Sequence, residues 1–202
     1  EVDRQHVPAF DDKYQLDDNA LEFLAVCAVD DLPCLLVGPT GCGKSTMVEA
    51  LAALLDQPVR RVNLHGDVRA SDLLGEKTLE VDPKTGATVV VWRDGVLPDA
   101  MRRGHWVILD EFDACPASIA MTLQSVLEGG HRLTLAANHG ELVKPAEGFR
   151  LFATANTLGR GDESGLYNGT NILNEATLDR FVVMACSYPE AKVETQVLID
   201  KT

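Results

Sequence analysis

Gly38-Pro39-Thr40-Gly41-Cys42-Gly43-Lys44-Ser45 fills every position of the pattern GxxxxGK[ST]. The glycines let backbone N–H groups curl round an anion with no Cβ in the way. A helix opening near Lys44 aims its positive end at the same anion. The lysine of such a loop reaches the outer phosphates of a nucleoside triphosphate, and the Ser45 hydroxyl, with Thr46 behind it, faces a Mg²⁺ ion. The expected ligand is therefore ATP with Mg²⁺, held by Gly38 to Thr46.

Three further sites could act on that ligand. Val107-Ile108-Leu109 is an apolar run ending in Asp110-Glu111. A buried strand that ends in an acid puts Asp110 at the carboxyl edge of a sheet, where it can hold Mg²⁺ through water. Ser45 and Asp110 are thus the expected metal-facing pair, and Glu111 is placed to take a proton from an attacking water. Two acids after an apolar run can also be a solvated strand end, and it is the loop upstream that favours chemistry. Asn156 closes Leu151-Phe152-Ala153-Thr154-Ala155; an amide there either caps a turn or senses a γ-phosphate. Arg180, in Leu178-Asp179-Arg180-Phe181, is either an ordinary surface charge or a finger reaching a neighbouring subunit's nucleotide. The catalytic set expected is Glu111, Asn156 and Arg180.

The elements that must position these residues read as alternating strands and helices. Leu35 to Val37 and Val59 to Leu64 read as strands, and Trp106 to Leu109, Phe149 to Ala155 and Phe181 to Ala185 read as buried ones. Ser45 to Leu55 and Ala117 to Glu128 have apolar residues at helical spacing, the second stopping at Gly129-Gly130. This order predicts a doubly wound α/β domain with crossover connections. Thr78 to Trp92 and His131 to Val143 break the rhythm with period-2 alternation about a polar turn, so both read as hairpins. They are either functional decoration or surface embroidery.

With 202 residues the chain can bury a sizeable core without a disulfide or metal staple. No apolar run is long enough to span a bilayer, and no secretory stretch follows Glu1-Val2-Asp3-Arg4. Five scattered cysteines without a CxxC pair read as reduced thiols of the cytoplasm. A net charge of −13 repels a phosphate backbone, so neither nucleic acid nor a membrane is expected as partner.

The order of these motifs resembles that of AAA+ ATPases, in the branch with an insert in helix 2 and a hairpin before the strand that ends in Asn156. Within it the chain is similar to MoxR-type ATPases and to the ATPase subunit of aerobic cobaltochelatase. Longer words carry that likeness: Arg61 to Leu64, Asp72 to Gly75, Asp110 to Ala114, Arg132 to Leu135, Phe149 to Thr157 and Gly165 to Thr170. The resemblance implies a three-layer αβα core with a parallel sheet and two inserted hairpins. It divides the chain into a lead-in segment and first helix (1–30), the nucleotide-binding core (31–188) and the start of a largely absent lid (189–202). It also implies a hexameric ring, ATP hydrolysis, and a von Willebrand A domain partner or chelatase subunits. Metal insertion or cofactor maturation in a partner complex is the leading expectation. Remodelling of a protein client is the alternative, and a nucleic-acid translocase is disfavoured by the charge.

Overall fold

The computed structural model describes residues 3–11, 14, 17–66, 68–157 and 175–188. Five strands form one parallel sheet: β1 (Cys34–Val37), β2 (Val59–Asn63), β5 (Trp106–Asp110), β8 (Arg150–Ala155) and β9 (Val182–Ala185), in the order β2-β5-β8-β1-β9. Parallel neighbours need crossovers, and most of these are helical here: α2 (Lys44–Leu54) after β1 and α5 (Ala117–Leu127) after β5. Each of the five strands expected from the sequence is present, within a residue or two of its expected ends.

Alternate residues of each central strand feed opposite layers. Leu35, Val37, Val107, Leu109, Leu151 and Ala153 share one core with Leu97, Met101, Ile119 and Leu123, from α4 (Val96–Arg103) and α5. Cys34, Leu36, Trp106, Ile108 and Phe152 share the other with Leu24, Val48 and Leu51, from α1 (Asp18–Val29) and α2. Because successive side chains leave a strand on opposite faces, a strand buried on both sides must be apolar throughout. β1 and β5 are buried at every position. The result is the three-layer αβα core that the sequence implied.

The two hairpins differ in kind. β3 (Gly75–Val81) and β4 (Thr88–Asp94), after the short helix α3 (Ala70–Leu74), pair antiparallel about a turn at Asp82 to Ala87. Leu79, Val81 and Val90 on this ribbon are largely exposed, whereas Trp92 near its root packs against the core. β6 (Leu133–Leu135) and β7 (Glu141–Val143) also pair, yet Leu133, Leu135 and Val143 are buried in the larger core. The second hairpin is thus partly structural, which the alternation alone did not reveal. A last short helix, α6 (Glu175–Leu178), leads into β9.

No disulfide joins any of the five cysteines. Burial pushes the Cys115 thiol up to about 12, so its inert thiol form dominates. Among the described residues no helix is long and apolar enough to cross a membrane. The word Gly165 to Thr170 and the start of the lid beyond Tyr188 lie outside the described residues.

Candidate nucleotide site

β1 is flanked by β8 and β9, and the loop that leaves its carboxyl end carries Gly38 to Ser45. That is where open α/β sheets place their ligands, beyond the carboxyl ends of the strands. Two glycines are required by geometry. A Cβ on Gly38 would lie 2.3 Å from the Cys186 carbonyl oxygen, because the chain leaving β9 crosses there and bonds back to Val37. Gly43 has a φ of 89°, in the left-handed region, and caps α2 without any side-chain bond. The first N–H groups of α2 are therefore available to an anion.

Lys44 is buried, and its ammonium spends its three donors within the loop and on β8's end. It donates to the carbonyls of Gly38 at 2.7 Å and Pro39 at 3.0 Å, and to Asn156 Oδ1 at 3.1 Å. The Thr40 hydroxyl donates to the same amide oxygen at 3.3 Å. Asn156, taken from the sequence as either a turn cap or a phosphate sensor, thus stands beside the P-loop lysine.

Asp110 ends β5 as a buried carboxylate. Its Oδ1 accepts from the Ser45 hydroxyl at 2.5 Å and the Thr154 hydroxyl at 2.8 Å; Arg61 Nε donates to Oδ2. Glu111 is exposed and held in the left-handed region, with a φ of 55°. For a residue with a Cβ that conformation is strained, and such strain gathers at functional sites. Its N–H bonds the Thr154 hydroxyl at 3.3 Å, so one threonine fixes both acids.

Asp113, 1% exposed, completes the arrangement. One oxygen accepts from the backbone N–H groups of Asn156 and Thr157 at 3.0 Å each and from the Thr157 hydroxyl at 3.1 Å. Tyr188 donates to the Thr40 carbonyl at 2.9 Å, and the Tyr14 hydroxyl lies close to Gly43, so two phenols flank the loop. Burial pushes the Tyr14 phenol above its usual range.

Lys44, Ser45, Asp110, Glu111 and Asn156 therefore converge. Arg180 does not join them: it bonds Glu128 at 2.8 and 3.2 Å and also the Ala176 carbonyl. Sequence reasoning missed Arg61, Thr154, Asp113 and Tyr188. A hydroxyl inside the apolar run of β8 and a third acid two residues past Glu111 were the available signals for Thr154 and Asp113.

This donor set suits a triphosphate and a hard cation. Amides and a lysine face the anion, while a hydroxyl and a carboxylate supply oxygen ligands of the kind Mg²⁺ takes. The AAA domain of the dynein-related subfamily matches residues 33–181. The chain belongs to that family. This AAA+ module is 38% identical to the aerobic cobaltochelatase subunit CobS of a Sinorhizobium species over 198 residues, 97% of this chain and 58% of the relative. It is 36% identical to the protein NorQ of Paracoccus denitrificans over 171 residues, 85% of this chain and 58% of that one. The module thus spans about three-fifths of these curated relatives. The crystal structure of a candidate ATPase from Cytophaga hutchinsonii superimposes with a TM-score of 0.67 at 21% identity. That match covers 97% of this chain and 52% of the other. The family match and the two sequence likenesses place the module in the MoxR branch of AAA+ proteins.

Proposed function

We propose that this AAA+ module binds and hydrolyses ATP with Mg²⁺ in a ring of its own copies, and that the cycle drives metal insertion or cofactor maturation in a partner complex. The observation that carries the ATPase reading is the meeting of two pairs across the β1 and β5 strand ends. Lys44 bonds Asn156 at 3.1 Å, and Ser45 bonds Asp110 at 2.5 Å. In this reading the Lys44 ammonium exchanges its loop carbonyls for β- and γ-phosphate oxygens. Ser45 and Asp110 would hold the cation. Mg²⁺, when bound, neutralises charge on the β and γ oxygens. Glu111 takes the proton of the attacking water, and Asn156 orients that water against the γ-phosphate. The lead-in and first helix (1–30), core (31–188) and lid start (189–202) are the proposed divisions, and cysteines without disulfides support a cytoplasmic setting.

The likeness to CobS supports the chelatase-type role, with chelatase subunits as partners. A second reading is a MoxR-type remodelling chaperone working with a von Willebrand A partner on a protein client; the likeness to NorQ supports its MoxR-type ATPase part alone. Glu111→Gln tests the chemistry. It keeps size and hydrogen bonding but cannot accept the proton, so ATP should bind and persist while turnover falls by roughly 10²-fold or more. Unchanged turnover in assembled protein would assign the base elsewhere. Co-purification from the native host separates the two client readings: a chelatase large subunit favours the first, and a von Willebrand A protein without one favours the second.

A further inference from the structure

The nucleotide site lies at the carboxyl end of β5; a different cluster lies at its amino end. His105 immediately precedes Trp106, the first residue of that strand. A 3-10 turn at Arg4–His6 brings the N-terminal segment across it. His6 Nδ1 is 3.0 Å from Asp3 Oδ2, and His105 Nε2 is 3.7 Å from the same oxygen. The two imidazole centroids are 5.5 Å apart. Among the described residues this is the only group of three His, Cys, Asp or Glu side chains whose ligand atoms all lie within 4.8 Å of one another.

His105 is the buried member of this group. It is 2% exposed, and its Nδ1 is buried without a hydrogen-bond partner among the described residues. Its Nε2 points at a carboxylate that is too distant for a hydrogen bond. A ring nitrogen buried without a partner is costly, because it has lost water and gained nothing. Burial holds this ring below the usual histidine range, although Asp3 opposes the shift. A neutral imidazole is the form that ligates metals.

The geometry points to a divalent transition-metal site formed by Asp3, His6 and His105, which clamps the N-terminal segment to the base of the sheet. Metal–nitrogen and metal–oxygen bonds of about 2.0–2.2 Å put tetrahedral ligand atoms roughly 3.3 Å apart. The two measured separations bracket that value, and the half-exposed His6 can turn to close the set. Two imidazoles and one carboxylate, with water in the fourth position, suit zinc or a neighbouring first-row ion. An all-oxygen shell, as magnesium and calcium prefer, is not what these residues offer. Arg103 competes for Asp3 at 3.8 Å, but both Arg103 and Arg60 are paired with Asp99, which limits their repulsion of a cation. The five residues of β5 span about 16 Å at 3.3 Å each, so this clamp is separate from the phosphate site.

The test uses the whole chain, stripped with a chelator and then titrated with Zn²⁺ against a chromophoric competitor. One equivalent should bind tightly and raise the melting temperature. Co²⁺, as a spectroscopic probe, should show visible bands of a nitrogen and oxygen shell without sulfur charge transfer. His6→Ala and Asp3→Asn, both on the surface turn, should each weaken binding at least ~10-fold, the lower end of what loss of an outer-shell partner costs. ATP binding should be the same in the parent and both variants, which separates failure here from failure of the nucleotide reading. No stoichiometric Zn²⁺ binding would overturn the proposal. So would binding that survives His6→Ala, or a sulfur-rich Co²⁺ spectrum, the latter assigning the ion to cysteines such as Cys42 and Cys186.

Discussion

Asp110 accepts bonds from three elements, Ser45 on α2, Thr154 on β8 and Arg61 on β2, and Asp113 does similar work for the loop that carries Asn156. The N–H groups that Asp113 caps lie beside the P-loop lysine, so losing the cap frees Asn156 to drift from Lys44. Asp113→Ala is expected to leave ATP affinity within a few fold while turnover falls. It should also destabilise by about 1–3 kcal/mol, the cost of leaving buried polar groups unpaired. Asp113→Asn, which keeps an acceptor oxygen, should restore most of both. Urea unfolding and steady-state phosphate release check the pair, and equal damage by Asn and Ala would remove Asp113 from any positioning role. Lys44, Ser45 and Asp110 were legible in the sequence because their chemistry is written in local spacing. Arg61 and Thr154 were not, because their roles arise from strand register. The β2–β5 pairing sets Asn63 beside Asp110 and Arg61 two residues back on the same face. The β5–β8 pairing of Leu109 with Ala153 brings Thr154 to Asp110. Register is a long-range property that no single segment specifies.

At the scale of elements, alternation revealed two hairpins but not their different surroundings. Both follow period 2, and burial depends on what lies opposite: α5 and the larger core beneath β6 and β7, and water over one face of β3 and β4. The short helix α4 was illegible for a related reason. Pro98 within eight residues reads as a break, yet it sits in the first turn, where no N–H is needed. The β3–β4 ribbon is the element to test for partner contact. Leu79, Val81 and Val90 are 73%, 65% and 63% exposed, and Leu79 pairs directly with Val90. Replacing all three by serine removes apolar surface that the isolated chain does not bury. Such surface changes are usually within about 0.5 kcal/mol each, so melting and ATP binding should hardly move. Stimulation of ATP turnover by the co-purified partner should fall. Trp92 must be kept, since it packs on the core and bonds Asp94. Undiminished stimulation in the triple variant would make this face of the ribbon mere surface.

At the scale of the whole molecule, Arg180 and the P-loop lie at opposite ends of the same parallel strands. Arg180 precedes β9, and Val182 at the start of that strand pairs with Cys34 at the start of β1. The P-loop leaves the other end of β1, after Val37. One chain therefore cannot bring Arg180 to its own P-loop, whereas in the proposed ring a neighbouring copy would receive it. Its present partner does not forbid the move. Glu128 is more than half exposed, and pairs of that kind contribute about 0–1 kcal/mol, so a γ-phosphate competes well with it. An arginine can also give a phosphate two parallel hydrogen bonds. Arg180→Ala is then expected to bind ATP nearly as the parent does, while hydrolysis falls on the order of 10³-fold, the scale of a finger acting in trans. Lys44→Ala should lose tight ATP binding itself. Mixing the two inactive variants should recover part of the activity, because some interfaces join an intact Lys44 to an intact Arg180. The recovered rate should depend on mixing ratio and vanish on dilution as rings dissociate. If the diluted monomer hydrolyses ATP at the rate of the concentrated protein, or the mixture stays inactive while mixed rings form, Arg180 does not act across the interface.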